Sequence, residues 1–255
     1  MFTNQNNLSI HNFFMSLAIA EAKKNLGGTK ENPSVGCVIT KNNSVIGIGS
    51  TGIGGRPHAE YNAINFSKEK VKGSKMYVTL EPCSHYGLTK PCTNLVIKNK
   101  LKHVIFSSKD PDFRSYNKSS DLLKKKKIFV NSGILLSHTN DLYRSYFKSK
   151  KNLLPFVSVK IAVSKDQYSI DKRKKWITNY FSRARGHLLR SSHDCILTTS
   201  NTIISDNPIL TCRISGLSHK SPSRIILDNK LRVPVNSKVI NGSLNHRTII
   251  FFNQI

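Results

Sequence analysis

Apolar and polar positions along the chain change period at intervals, and those changes mark the elements. In residues 11–24 (HNFFMSLAIAEAKK), Phe14, Leu17, Ala18 and Ala22 fall near helical spacing, and Gly27-Gly28 ends the helix. The runs VGCVIT (35–40) and SVIGIGS (44–50) flank the turn-forming Lys41-Asn42-Asn43 and predict a β-hairpin. Residues 59–70 (AEYNAINFSKEK) predict a helix, 75–80 a strand, 93–100 a helix and 103–108 a strand. Strands alternating with helices imply an α/β sheet packed on both faces.

A second α/β pattern begins near Phe156. FVSVKIAV (156–163) predicts a strand, a helix follows over 179–191, and short β-branched runs start at Cys195, Ser223 and Arg247. Between the halves lies the basic, polar stretch YFKSKKNLLP. It places a boundary near 148–155, with domains expected over 1–148 and 155–255. A length of 255 residues leaves room for two domains that each bury a core.

Composition adds exclusions more than assignments. Hydrophobic residues at 38% with 21% charged fit a globular chain, and no apolar run reaches the roughly 18 residues of a membrane span. The N-terminal MFTNQNNLSIHNFF lacks the basic start, apolar run and cleavage site of a secretory signal, so a cytoplasmic location is expected. The formal charge of +26 raises the question of nucleic acid. The excess is spread through surface runs such as Lys124–Lys127, Lys148–Lys151 and Lys172–Lys175, without the interleaved aromatics of a strand-binding groove. Nucleic acid is therefore not the expected partner; lysines filling solvated positions are. Five cysteines, an odd number, in a chain without an export signal argue for metal ligation or burial over a disulfide framework.

The chemistry concentrates in three places. Pro57-His58-Ala59-Glu60 opens an expected helix, Glu81-Pro82-Cys83 follows an expected strand, and Cys92 comes after eight further residues. One imidazole and two thiolates suit zinc, and a catalytic zinc keeps three protein ligands with one position open for water. Zinc acidifies that water, and a carboxylate two residues after the histidine can carry its proton to a ring nitrogen and a leaving amine. Glu60 takes that role, with His58, Cys83 and Cys92 as ligands. Helix N-termini behind His58 and Cys83 are expected to favour thiolate. Each motif alone is weak. A structural zinc would need a fourth ligand; His85 is the only nearby candidate, and it would leave Glu60 idle.

Taken together, Asn32-Pro33-Ser34-Val35-Gly36-Cys37-Val38, Gly55-Arg56-Pro57-His58-Ala59-Glu60 and Glu81-Pro82-Cys83-Ser84-His85-Tyr86-Gly87-Leu88-Thr89-Lys90-Pro91-Cys92 resemble the bifunctional riboflavin-biosynthesis pyrimidine deaminase/reductase family. The resemblance implies an N-terminal cytidine-deaminase-like three-layer α/β/α domain. It further implies hydrolytic deamination of 2,5-diamino-6-ribosylamino-4(3H)-pyrimidinone 5′-phosphate with one Zn2+ per chain. By the same resemblance Asn32 orients the ribosyl-pyrimidine, although a loop Asn beside Pro also reads as a turn residue, and His85 and Thr89 shape a lid over the zinc. The segment Asp110-Pro111-Asp112-Phe113-Arg114-Ser115-Tyr116-Asn117 departs from the family's Asp-Pro-Asn-Pro pattern.

The second half resembles the family's dihydrofolate-reductase-like α/β domain. The stretches are Val159–Asp166, Lys175-Trp176-Ile177-Thr178, Thr198–Thr202 and Asp206–Arg213. The resemblance places Val163, Trp176, Thr202 and Asp206 at NADPH, and Arg190, Leu210 and Arg213 at the phosphorylated substrate. A guanidinium fork suits a phosphate, though most arginines are only solvated. Trp176, the one tryptophan, can stack on a cofactor or fill a core. Lys174 stands where the family has a small hydroxyl residue. Family members run on for about a hundred residues, with a glycine-rich loop and an acidic substrate ligand, so this reductase domain is read as partial. Three readings of that shortfall stay open: a fragment, a half decayed into a docking module, or completion by another chain. Two competing functions also stand: a tRNA or nucleobase deaminase, whose cysteines would be two residues apart, and a decayed interaction protein, which the intact His58, Glu60, Cys83 and Cys92 oppose. A homo-oligomer is compatible with the sequence.

Overall fold

The structure, a computed structural model, describes residues 2–67, 71–169 and 176–253. The end of the helix expected over 59–70, at 68–70, lies outside the described residues, as do Lys172–Lys175 with Lys174 among them. The chain divides into two compact units, residues 1–157 and 158–255.

The first unit runs α1 (Phe2–Lys24), β1 (Gly36–Lys41), β2 (Ser44–Ser50), α2 (Ala59–Phe66), β3 (Lys75–Leu80), α3 (Cys92–Lys98), β4 (His103–Ser108), α4 (Lys118–Lys125), β5 (Phe129–Ser132) and α5 (Leu136–Asn152). Its sheet has the order β2-β1-β3-β4-β5. β1 pairs antiparallel with β2 and β3, and the β3, β4 and β5 pairings are parallel. The β1–β2 hairpin forms where the sequence places it because Asn42 and Asn43 both accept positive φ, 50° and 60°.

Alternation along the strands sorts side chains between two faces. Cys37, Ile39, Met76, Val78, Leu80, Val104 and Phe106 pack with Ala59 and Ala63 of α2, Val96 of α3, Leu123 of α4 and Tyr143 of α5. Val38, Tyr77 and Ile105 pack on the opposite face with Phe14, Met15, Ala18 and Ile19 of α1. This is a three-layer α/β/α arrangement. Two glycines let helices seat against strand backbone. A Cβ on Gly36 would lie 1.9 Å from the Ala18 carbonyl oxygen, and one on Gly49 would lie 2.4 Å from Ala63 N and 2.6 Å from Ala59 O. The second contact fixes the first turn of α2, which carries Glu60.

The sequence reading did not include α4, β5 or α5. α4 is eight residues long and buries only Ser119 and Leu123, too short a run for its period to stand out in the sequence. α5 extends through Tyr146–Asn152, within the stretch read as a basic connection. Its apolar face explains the difference: Tyr143 is buried, and Leu142, Tyr146 and Phe147 pack on the core.

The second unit holds α6 (Tyr180–Ser191), β6 (Cys195–Thr199), α7 (Ser200–Asp206), β7 (Ser223–Leu227), α8 (Lys238–Asn241) and β8 (Thr248–Phe251). Its three strands are parallel, in the order β6-β7-β8. Asn179 caps α6 by accepting a hydrogen bond from Ser182 N at 2.9 Å. The core is small, with Ile203, Leu210, Ile226 and Val239 at its centre. Arg224 is fully buried beside it and donates to the carbonyls of Ile209, Gly242 and His246 at 3.2, 3.0 and 2.8 Å. One expectation fails. Residues 156–163 form no strand, and Val157, Val159 and Ile161 are 69%, 79% and 71% exposed. A strand is held by its ladder and cross-strand neighbours, and among the described residues nothing pairs with this segment.

Gly49→Val is expected to lower the stability of the first unit by about 1–3 kcal/mol, because the added carbons meet α2 backbone rather than a side chain that can turn away. Urea denaturation checks this, and an unchanged midpoint would contradict the close approach.

Candidate metal centre

Three segments converge at one site in the first unit. His58 is the residue immediately before α2, Cys83 lies in the loop after β3, and Cys92 is the first residue of α3. His58 Nδ1 lies 3.3 Å from Cys92 Sγ and 3.7 Å from Cys83 Sγ, and all three donor atoms fall within 4.8 Å of one another. Zinc bonds of about 2.05 Å to nitrogen and about 2.3 Å to sulfur, set tetrahedrally, separate the two donors by about 3.6 Å. The donor set and its spacing therefore fit zinc. His85 stands outside the group, with its Nδ1 2.9 Å from Ser115 Oγ, so among the described residues no fourth protein ligand closes the site.

The electrostatics of the three donors are linked. The Cys83 thiol is pulled down to about 4, first by the hydrogen bond from the Cys92 thiol and then by His58 and the Cys92 N–H, against the opposing effect of burial. Cys92 is pushed far up by the same shared interaction and by burial. His58 is raised, chiefly by its hydrogen bond to Cys83. The expected helix N-terminus behind Cys83 sits instead at Cys92. It still serves Cys83, because Cys92 N–H donates to Cys83 Sγ at 3.3 Å.

A cavity of about 400 Å³ opens beside these donors, lined in part by Asn32, His58, Glu60, Cys83 and His85. Glu60 is only 4% exposed. Burial is the main cause that raises its carboxyl above the ordinary range. Asn32 donates its Nδ2 to Gly55 O at 3.2 Å, so it is both a loop tie and a lining residue. Arg56, unassigned in the sequence reading, places Nη1 3.3 Å from His58 Nε2 and donates to Thr89 Oγ1 at 2.8 Å. That contact joins the Cys83–Cys92 loop to the metal-site histidine.

The loop after β4, singled out in the sequence only as a departure from the family pattern, supplies the lining residues Asp110, Asp112 and Arg114, and α5 adds Tyr146 and Lys150. Burial pushes Asp110 up to about 6, although it accepts hydrogen bonds from Asp112 N and Tyr146 Oη, each at 3.0 Å. Asp112 is held well below the usual carboxylate range, first by the Arg114 side chain. Glu81 also lines the cavity, and its carboxylate is engaged by Ser119 Oγ at 2.7 Å.

In the second unit Arg190 and Arg213 meet around the 210–213 segment. Arg190 Nη1 donates to Thr211 O at 3.2 Å, and Arg213 N lies 3.2 Å from His187 Nδ1. Burial lowers the Arg190 pKa, and the Arg213 charge lowers it further. Leu210 is buried in the core cluster. Thr202 and Asp206 lie one turn apart on α7. Val163 and Trp176 are 46% and 55% exposed, and the Arg183 guanidinium stands 4.9 Å from the Trp176 ring centre.

Comparison with known proteins agrees with this division. Residues 8–108 match the cytidine and deoxycytidylate deaminase zinc-binding region, and residues 155–254 match the RibD C-terminal domain. A solved deaminase/reductase from Thermotoga maritima is 33% identical, with a TM-score of 0.90 over 97% of this chain and 71% of its own. The chain belongs to the RibD family. Acinetobacter baumannii RibD superposes with a TM-score of 0.88 at 32% identity, over 97% of this chain and 71% of its own. Among curated RibD proteins, that of Aquifex aeolicus is 37% identical over 230 residues, 89% of this chain and 64% of its own. The Escherichia coli protein is 32% identical over 241 residues, 89% of this chain and 66% of its own. The chain thus spans about two thirds or slightly less of these curated RibD proteins. The RibD relationship also gives the two units their classes, cytidine-deaminase-like and dihydrofolate-reductase-like. No described helix is long and apolar enough to cross a membrane.

Purified protein is expected to carry one zinc per chain by elemental analysis. Cys83→Ser and Cys92→Ser should each weaken retention by more than the about 10- to 100-fold typical of losing a supporting residue; full zinc content in either would remove that cysteine from the donor set. A second expectation concerns Asp110. The unfolded chain titrates this group near 3.9 and the folded one near 6, so the folded state holds the extra proton in that window. The resulting cost is absent below about pH 4, grows as pH rises and is complete above about pH 6. Asp110→Asn should therefore stabilise the protein by about 1–3 kcal/mol at pH 7.5 and leave it unchanged at pH 4. Urea denaturation at the two pH values decides this; an equal effect at both would show that Asp110 is not strained by burial.

Proposed function

We propose that the first unit is a zinc-dependent hydrolytic deaminase of riboflavin biosynthesis, held by His58, Cys83 and Cys92 and served by Glu60. The observation that carries the reading is the clustering of the three donors beside a cavity whose wall includes His58, Cys83 and the buried Glu60. The substrate is 2,5-diamino-6-ribosylamino-4(3H)-pyrimidinone 5′-phosphate. The name of the Thermotoga maritima relative, a diaminohydroxyphosphoribosylaminopyrimidine deaminase, supports that choice.

Zinc held by His58, Cys83 and Cys92 would supply an acidified water as the nucleophile. Glu60 would take one proton from that water and deliver it to the ring nitrogen, then carry the remaining hydroxyl proton to the C2 amine, so that the oxygen stays on the ring as a carbonyl and the amino group leaves as ammonia. Its burial suits both halves of the cycle, since a carboxyl raised above its ordinary range holds a proton long enough to deliver it. Asn32 orients the ring from the loop opposite Gly55. His85 and Thr89 hold the Cys83–Cys92 loop over the site.

For the second unit the proposal assigns NADPH to Val163, Trp176, Thr202 and Asp206, and the phosphorylated product of deamination to Arg190, Leu210 and Arg213. The Arg213 charge, near enough to disfavour that of Arg190, supports an anion bound at the two guanidinium groups. Leu210 would contribute through its main chain, its side chain being in the core. The activity is reduction of the ribosyl group. A cytoplasmic location belongs to the same proposal.

Ammonia release and NADPH oxidation, followed separately after the diaminopyrimidine phosphate is supplied with and without NADPH, test the two halves independently. Glu60→Gln should keep its zinc and lose ammonia release by about 100-fold or more. Normal turnover by that variant would sink the assigned mechanism.

A further inference from the structure

Besides the zinc donors and Glu60, the first unit's cavity is lined by Asp112, Arg114 and Lys150. Asp112 is buried, and its two carboxylate oxygens accept from Arg114 Nε at 2.9 Å and Nη2 at 2.6 Å. Lys150 Nζ stands 3.9 Å from the same carboxylate and 5.9 Å from the centre of the Tyr146 ring. One carboxylate thus faces two cations, while the neighbouring Asp110 carboxylate is engaged by Asp112 N and Tyr146 Oη. Arg114 presents one edge to Asp112 and keeps Nη1 without a hydrogen-bond partner among the described residues, while its side chain remains 48% exposed. An ion pair of this kind adds little to stability while it is solvated. What it does here is hold a planar guanidinium in a fixed orientation on the cavity wall. The third cation of the lining, Arg56, is engaged with His58 and Thr89.

We propose that Arg114 and Lys150 form the anchor for the phosphate of the deaminase substrate, with Asp112 as the positioning residue that aligns them. The inference rests on the reading of this unit as a deaminase of a phosphorylated ribosylaminopyrimidine. A phosphate presents several acceptor oxygens and close to two negative charges. The free edge of a guanidinium and an ammonium group supply donors and matching charge. The same wall would leave a dephosphorylated riboside without these contacts, so the anchor selects the phosphorylated form by its far end while Glu60 acts at the ring.

The test compares kcat and KM for the diaminopyrimidine ribosylamine phosphate and for its dephosphorylated riboside in the full-length wild type, Arg114→Ala, Lys150→Ala and Lys150→Arg. Each alanine variant should raise KM for the phosphate by about tenfold or more, as expected for losing a charged hydrogen bond. It should leave the riboside parameters and the zinc content unchanged. Lys150→Arg, which keeps the charge, should recover most of the phosphate preference. Equal losses on both substrates, or no loss on either, would overturn the anchor. Calorimetric titration with ribose 5-phosphate keeps this separate from the deaminase reading. If the wild type deaminates neither compound, the proposed function falls. The anchor then stands only if the Arg190→Ala/Arg213→Ala protein, which lacks the second unit's proposed phosphate ligands, binds ribose 5-phosphate and loses at least about tenfold in affinity when Arg114→Ala/Lys150→Ala is added; it fails if that protein does not bind or the added pair changes nothing.

Discussion

Everything at the site depends on forcing two thiols and an imidazole into one small volume. Unassisted, that grouping is costly, because two thiolates side by side repel and burial disfavours both. The chain answers by sharing one proton between the sulfurs. Cys83 ionises early because Cys92 donates to it, and Cys92 resists for the same reason. A divalent cation resolves this frustration by letting both sulfurs ionise, so the metal joins three segments as well as supplying chemistry. Those segments are the starts of α2 and α3 and the loop leaving β3. They meet because β3 and β4 are parallel and the helices begin beyond strand ends on one side of the sheet, where ligands gather in open α/β folds. The glycine at position 49 contributes at a distance, since its lack of a side chain seats α2 against β2.

The two units solve their interiors differently. The first covers both faces of a five-stranded sheet, and several of its buried hydroxyls meet one another: Thr79 Oγ1 lies 2.5 Å from Tyr143 Oη, and Ser107 Oγ lies 2.6 Å from Thr139 Oγ1. The second has a three-stranded sheet and a core centred on four buried apolar side chains, and it places a fully buried arginine beside them. Arg224 is tolerable because three carbonyls from separate segments receive its protons. A guanidinium thereby links 209, 242 and 246 where apolar packing is thin. Val159 and Ile161, at the start of the same unit, stay exposed.

The metal site was legible because its chemistry restricts residue type. Few combinations other than a zinc centre call for His-x-Glu and two cysteines set apart by eight residues, and all three donors stand together in the structure. The hairpin was legible because only certain residues accept positive φ at both turn positions. α5 was not, because its buried face is built from Leu142, Tyr143, Tyr146 and Phe147 while lysines dominate its last turns. Read by composition, those turns are a linker; read by burial, they are a helix. The segment at 156–163 fails in the opposite direction. Its alternation is local, but pairing is a property of neighbours that local sequence does not name. Lys150 was hidden by the same masking as α5, since a lysine in a run of lysines gives no sign that one of them reaches a cavity. Arg114 had a weaker signal: a basic residue two positions after an aspartate, in a loop that follows a strand.

The large positive charge takes on a different meaning once the acids are located. The whole chain has only 14 Asp and Glu, and five of them, Glu31, Glu60, Glu81, Asp110 and Asp112, line one cavity. A solvated surface accepts lysine at nearly every position because water screens its charge. A cavity wall is more selective, and four of these five acids are buried in it. Glu81 receives Ser119, Asp112 aligns Arg114, and Asp110 receives Tyr146. Of those four, Glu60, beside the metal donors, is the one placed to move a proton. The compositional excess of lysine therefore describes the outside of the molecule, while the scarce carboxylates mark where it works.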